Sequence, residues 1–349
     1  MRGKIVYILA VAALAIGGCS EDLVSFRVAR NARIDTASGM IKYLERQSLP
    51  ALKSVEVWEN EYGEGIKLVT SHYEIYTTFL EPLMLSQVPG FMESAYRGYQ
   101  GQLPEPIETV NKFKVYLFGQ RSQWDDFTRN FAGAQAQLYL KLKKGAYYLN
   151  GSCVAYNIGR ESTFSVLGHE GWHQFNKMHF TYRLPSWLDE GIAMLFETSR
   201  YENGMFYFEA GKNLNRLGGL KAILLTRKII PLRGLIAMNP GEALSVENDE
   251  KLMAFYSQSY ALVRFLREED YGKRLAKYHK IMQDGLEGKW PLGPVAEKMA
   301  VDRNIRLTIG WNRAVGTGLF KHYIDEDIDL IEAEYLNFCR KIVYHVRLK

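Results

Sequence analysis

The sequence predicts an α+β fold in which a small mixed sheet is laid down first and a helical half follows. Two observations carry that prediction. Residues 51–157 are dominated by period-two alternation and hairpin signals, whereas 158–349 carry apolar periodicity near 3.6 residues. Each strand or helix must bury one apolar face against another layer, so such a chain packs its helices on a sheet. No internal repeat or low-complexity tract interrupts the pattern. With 349 residues, 47% hydrophobic and 24% charged, the chain can bury a substantial core and is too apolar to be disordered.

The first residues read as an address. Met1-Arg2-Gly3-Lys4 is basic, Ile5–Ile16 is apolar but too short to span a membrane, and Ile16-Gly17-Gly18-Cys19 follows. This arrangement resembles the lipobox of bacterial lipoproteins. The resemblance implies a signal peptide over 1–18, lipidation at Cys19, and a lipid anchor at the periplasmic face of a membrane or at the cell surface. Residues 19–50 are expected to be a tether, with a possible helix from Ala37 to Arg46. Without Arg2 and Lys4 the balance is 42 basic against 39 acidic residues, a net +3, which is too small to imply nucleic acid. Cys153 and Cys339 are then the remaining thiols, and a disulfide or two buried free thiols both fit.

Residues 51–349 are expected to form one domain. Ile66–Thr70 and Tyr73–Thr77 alternate on either side of Ser71-His72, and Lys112–Phe118 alternates as well. Ala146–Leu149 and Cys153–Tyr156 flank Asn150-Gly151, the strongest hairpin signal in the chain. Helices are expected over Leu80–Gly98 and Gln123–Phe131, then over 161–178, 187–199, 212–227, 251–268, 272–283 and 326–343, with Pro231, Pro240, Pro291 and Pro294 as breaks. Phe206–Phe208 reads as a strand.

The helix over 161–178 contains His169-Glu170-Gly171-Trp172-His173, an H-E-x-x-H motif. Residues four apart lie about 40° apart around a helix axis, so both imidazoles can reach one cation. Glu170, about 100° round from His169, can contact a water on that cation without being a ligand. Phe164, Leu167, Gly171, Phe175 and Met178 cluster on the opposite side, which predicts a core-facing stripe behind a cleft-facing one. Gly171 is expected to allow close packing against the sheet. Leu184-Pro185-Ser186-Trp187-Leu188-Asp189-Glu190-Gly191 follows, leaving room for a turn and a second helix that brings a carboxylate back to the cation. Two imidazoles, one carboxylate and an open position are what catalytic Zn2+ requires.

With these residues the chain resembles the gluzincin metallopeptidases, and more closely the peptidase MA-like group, over about 66–283. The resemblance implies a zincin-like fold, His169, His173 and Glu190 as zinc ligands, and Glu170 as general base for a water that attacks a peptide carbonyl. It also implies an oxyanion donor from a later helix, for which Tyr256 is the first candidate and Tyr260 the second. The expected partner is a peptide or protein substrate, bound by strand addition along the hairpin before the motif. Asp189 is the alternative ligand, but the E-G context of the resemblance favours Glu190, and Glu197 is placed to orient His169 or His173 through a ring nitrogen. Gly90-Phe91-Met92-Glu93-Ser94 faintly echoes an aminopeptidase amine-binding motif, but at the wrong distance. His179 is expected to serve the helix C-terminal dipole. The alternative reading is a zincin-fold envelope lipoprotein that binds or scaffolds without turnover.

Overall fold

Strand pairing places the metal-motif helix directly after the last strand of a six-stranded mixed sheet. The structure, a computed structural model, describes residues 34–142, 145–244, 249–302 and 309–347. The signal segment, Cys19 and the first part of the expected tether lie outside the described residues. The described chain is mixed α+β, a small sheet followed by helices, and it divides into two units. One comprises 34–93 and 111–166, the other 94–110 and 167–347.

The first unit contains α1 (Ala37–Glu45), β1 (Ser54–Val57), β2 (Ile66–Val69), β3 (Tyr73–Thr77), the start of α2 (Pro82–Gln100), β4 (Phe113–Phe118), α3 (Arg121–Ala132), α4 (Ala136–Tyr139), β5 (Ala146–Leu149), β6 (Ser152–Tyr156) and the start of α5 (Arg160–His179). The strand order is β1-β2-β3-β4-β6-β5, with β3–β4 and β4–β6 parallel and the other pairs antiparallel. Alternation decides which face is buried. Ile66, Leu68, Ile75, Phe113, Val115 and Leu117 are fully buried, while Lys67 and Glu74 pair at 3.1 Å on the other face. Each such aliphatic side chain contributes about 1.5–3 kcal/mol by leaving water. Asn150 (φ 48°) and Gly151 (φ 79°) adopt the left-handed pair that a tight hairpin needs, leaving β5 at the sheet edge.

Within the expected tether, the possible helix over 37–46 is present as α1, and it packs on β1 with Met40 and Leu44 buried and Thr36 capping it. An apolar i, i+4 pair on a capped helix is a docking face rather than a spacer. The expected halves, 51–157 and 158–349, differ from the observed units, since α2 and α5 each begin in one unit and continue into the other.

The second unit continues with α6 (Ser186–Ala193), β7 (Ser199–Glu202), β8 (Met205–Phe208), α7 (Leu214–Thr226), α8 (Leu232–Ala237), α9 (Gly241–Leu244), α10 (Asp249–Glu268), α11 (Leu275–Glu287), α12 (Pro294–Val301), α13 (Ile309–Tyr323) and α14 (Ile328–Ile342). Helix α10 is its centre: residues 254–266 are buried throughout, and α6, α7 and α14 pack on it. The helix expected over 187–199 ends at Ala193, continues as a 3-10 turn (Met194–Phe196), and gives way to β7. Cys153 and Cys339 are buried free thiols, not a disulfide.

Candidate metal centre

Three helices of the second unit build the centre. Helix α5 presents His169 and His173 one turn apart, their ring centroids 5.0 Å from each other. Helix α6 brings Glu190, whose Oε2 lies 3.4 Å from His169 Nε2 and 3.8 Å from His173 Nε2. Ligands bound tetrahedrally at 2.0–2.1 Å sit about 3.4 Å apart, so the three atoms have the spacing that a shared cation imposes. His169, His173 and Glu190 are accordingly a group able to hold a metal ion, all three buried. Helix α10 supplies Tyr256, considered below.

The strongest sign of fit is what these atoms lack. His169 Nε2, His173 Nε2, Glu190 Oε2 and both Glu170 oxygens are sealed from solvent without a hydrogen-bond partner. An orphaned buried polar atom costs about 1–3 kcal/mol, and more when charged, so five together fit a site able to hold a cation. The face is deeper than expected. His169, Glu170 and His173 are 1%, 0% and 5% exposed, so the side foreseen as cleft-facing is enclosed, whereas Met178 of the supposed core stripe is 39% exposed.

Two glycines let the helices come this close. A Cβ on Gly168 would meet the Phe196 carbonyl oxygen at 2.3 Å, and one on Gly191 would meet Val263 Cγ2 at 2.5 Å and Ser259 O at 2.6 Å. The first approach brings Glu197, the next residue after Phe196, beside His169. The second seats Glu190 against α10. Gly171 is a correction: the atom that would clash is the Tyr99 hydroxyl at 2.4 Å, on α2, and not the sheet.

Each ligand imidazole is held from behind by a carboxylate. His169 Nδ1 lies 3.0 Å from Glu197 Oε1, and His173 Nδ1 lies 3.0 Å from Asp189 Oδ1. These contacts turn both Nε2 atoms toward Glu190 and raise ligand basicity. Asp189 Oδ1 also accepts from Trp172 Nε1 at 2.9 Å and Asn176 Nδ2 at 3.0 Å. Asp189 thus faces His173 Nδ1, Trp172 and Asn176 rather than the two Nε2 atoms. Glu197 makes the ring-nitrogen contact expected of it, with His169. It additionally receives Asn213 Nδ2 at 2.8 Å and a two-pronged Arg216 at 2.8 and 2.6 Å. Arg216, Asn213, Asn176 and Trp172 were not singled out in the sequence; only their tertiary placement reveals them.

Burial opposes charge on His169, but Glu190 and Glu197 overcome it and raise its pKa to about 9. His173 is raised to about 10 in the same way, against burial, by Asp189 and Glu190. Protons and a metal ion compete for the same Nε2 lone pairs, so uptake weakens as pH falls. Burial pushes Glu170 up to about 7, against the pull of the two imidazoles. Glu197 moves the other way: despite burial, Arg216 and His169 hold it well below the usual carboxylate range.

The two tyrosines separate. Tyr256 has no hydrogen-bond partner among the described residues. Burial, then the Glu190 charge, raises its pKa well above the usual value, so the phenol stays protonated and able to donate. Tyr260 does not qualify as an oxyanion donor: its hydroxyl donates to the Ala210 carbonyl and accepts from Arg264 Nη1 at 3.0 Å. Four residues apart on α10, they share a face only roughly, and the local partners claim one of them. Burial lowers the pKa of His179, and its ring meets Thr109 Oγ1 at 2.9 Å, so it serves as a neutral tie and not as a dipole cation. Within the first unit, Glu93 is engaged by Thr70 Oγ1 at 2.6 Å and by His72 N and Nδ1 at 2.8 Å each, so it pins the β2–β3 turn. No protein-family model matches the chain, and no curated protein resembles it significantly.

Proposed function

We propose that the chain is a zinc-dependent peptidase of the zincin-like fold, held at a bacterial envelope by a lipid on Cys19. The observation that carries the reading is the convergence of five orphaned buried atoms from His169, Glu170, His173 and Glu190. His169, His173 and Glu190 would hold the metal, and a two-nitrogen, one-oxygen donor set favours zinc among common divalent ions. When bound, such an ion supplies Lewis acidity, lowering the pKa of a coordinated water and polarising a substrate carbonyl.

The remaining chemistry belongs to the chain. Glu170 sits beside both imidazoles with neither oxygen committed, as a base that takes and returns a proton must. Tyr256 carries an uncommitted phenol close enough to feel the Glu190 and Glu170 charges, which suits it to donate to a developing oxyanion. Glu197 and Asp189 keep the ligand imidazoles aimed. Among the described strands β5 stands at the edge of its sheet, and an extended peptide can add to such an edge. The envelope location rests on the Met1–Cys19 sequence, outside the described residues.

Metal analysis of the purified full chain tests the centre: wild type is expected to carry or take up one zinc, and His169→Ala and Glu190→Gln to lose it. Digestion of a peptide library tests turnover. Cleavage that vanishes in Glu170→Gln while zinc is retained supports a peptidase. Zinc binding with no cleavage by wild type would instead favour the binding or scaffold protein.

A further inference from the structure

We infer that Arg216 is a positioning residue that ties His169 to the oxyanion donor Tyr256, an inference that rests on the metallopeptidase reading above. Arg216 lies on α7, which supplies no ligand. Its Nε and Nη2 donate to the two oxygens of Glu197 at 2.8 and 2.6 Å, and Glu197 Oε1 faces His169 Nδ1 at 3.0 Å. The same guanidinium lies over the Tyr256 ring, with Cζ 5.3 Å from its centroid. One guanidinium thus donates to the carboxylate behind His169 and places its charge over the Tyr256 ring.

The attachment is built rather than incidental. The Arg216 side chain is 14% exposed, and Asn213 holds the start of α7 in place. Asn213 Oδ1 accepts from Arg216 N at 3.2 Å, while its Nδ2 donates to Glu197 Oε2 at 2.8 Å and to Met194 O at 3.2 Å. Neutralising Glu197 would require only a positive charge, which lysine supplies. A fork that matches both carboxylate oxygens and a plane that stacks on a ring are properties of guanidinium alone. Arg216→Lys therefore separates positioning from neutralisation.

The test uses full-length wild type, Arg216→Lys, Tyr256→Phe and the double variant. Zinc affinity is read by competition with a chromogenic chelator, ligand geometry by the visible bands of the cobalt(II)-loaded protein, and turnover by kcat and KM on a cleaved library peptide. Arg216→Lys is expected to fold, to bind zinc about 10–100-fold more weakly, and to shift the cobalt bands. Its kcat is expected to fall at least about tenfold with KM unchanged, yet by less than about threefold when Tyr256 is already phenylalanine, because coupled groups are non-additive. A lysine variant with wild-type affinity and spectrum would overturn the inference and leave the peptidase reading standing. Fully multiplicative losses in kcat would overturn the link to Tyr256. If wild type binds metal but cleaves nothing, the peptidase reading falls, and affinity and spectrum alone decide the role of Arg216. If wild type takes up neither zinc nor cobalt, both fall. Should Arg216→Lys not fold, Glu197→Gln cuts the same chain in its middle; it is expected to shift affinity and spectrum likewise, and no shift would overturn the inference.

Discussion

Replacing Gly191 by alanine adds one methyl group at the place where α6 leans on α10. In a free helix that change is favourable by about 1 kcal/mol. Here the new Cβ would lie 2.6 Å from Ser259 O and 2.5 Å from Val263 Cγ2. The first obstacle is backbone and the second belongs to a β-branched side chain with a restricted rotamer, so neither swings aside cheaply. Restoring an ordinary contact of about 3.4 Å to the carbonyl requires the helices to part by roughly 0.8 Å, and packed interiors resist such gaps. Glu190 precedes Gly191 and moves with it, whereas His169 and His173 on α5 do not.

Metal–ligand distances tolerate about 0.2 Å, so a displacement of that size is several times what the centre can absorb. Overpacking costs about 1–3 kcal/mol, which outweighs the helix gain. Gly191→Ala is therefore expected to lower stability by up to about 2 kcal/mol and zinc affinity by at least about tenfold. Urea denaturation and chelator competition measure the two. Gly218→Ala on α7 is the control: nothing lies within 4 Å of its added methyl, so it should be neutral or stabilising. A Gly191→Ala protein that matched wild type in both stability and zinc affinity would refute the idea that this contact sets the carboxylate.

Tyr256→Phe is expected to lower kcat about 100-fold with little change in stability, as loss of an oxyanion donor does, while Tyr260→Phe should cost stability and leave kcat nearly intact; comparable kinetic losses would sink the assignment. Burial favours a neutral Glu93, but hydrogen bonds from Thr70 and His72 outweigh it and hold its pKa below the ordinary value. Its contribution is thus complete above the unfolded pKa near 4.3 and disappears as pH falls through the lower folded value. Glu93→Gln should cost about 1–3 kcal/mol at pH 7 by thermal denaturation, and that gap should close below about pH 4. Burial pushes the Cys339 thiol up to about 12, so at pH 8 only about one molecule in ten thousand carries the reactive thiolate. Mass spectrometry after alkylation at pH 8 should find Cys339 unmodified in the folded protein and labelled in denaturant; rapid labelling without denaturant would contradict its burial.

Elements written in local patterns were legible. Alternation placed β2, β3 and β4, and the Asn150-Gly151 turn fixed the β5–β6 hairpin, because period-two burial and positive φ are properties of short windows. Helices α12 and α13 were not foreseen. Helix α13 carries Gly310, Gly316 and Gly318, residues that lower helix propensity, and the structure gives a reason for one of them. A Cβ on Gly316 would meet the Ile236 carbonyl oxygen at 2.0 Å, so this glycine lets α13 lie on the backbone of α8. A close approach between helices 80 residues apart in the chain leaves no trace in local periodicity. The same limit explains the helix expected to run to residue 199, which turns aside at Ala193 because the Phe196 backbone must reach Gly168.

The candidate site divides along the same line. His169, Glu170 and His173 follow from helix spacing, and Glu190 from its place after a turn. Asp189 was weighed as an alternative ligand and Glu190 preferred, but its contact with His173 was not foreseen. Neighbours on a helix point about 100° apart, so if Glu190 faces the space between the imidazoles, Asp189 must face elsewhere. Trp172, His173 and Asn176 line that other direction on α5, all donating or turned toward one oxygen. The Asp-Glu pair is thus one device: the longer side chain reaches the centre and the shorter one aims the histidine behind it. Glu197 and Arg216 repeat the logic at His169, where the helix has ended and a 3-10 turn and α7 supply the parts instead. Both histidines receive a carboxylate at Nδ1 by different local routes. What the fold reproduces is the orientation of the two Nε2 atoms, and a merely structural helix histidine would not need that done twice.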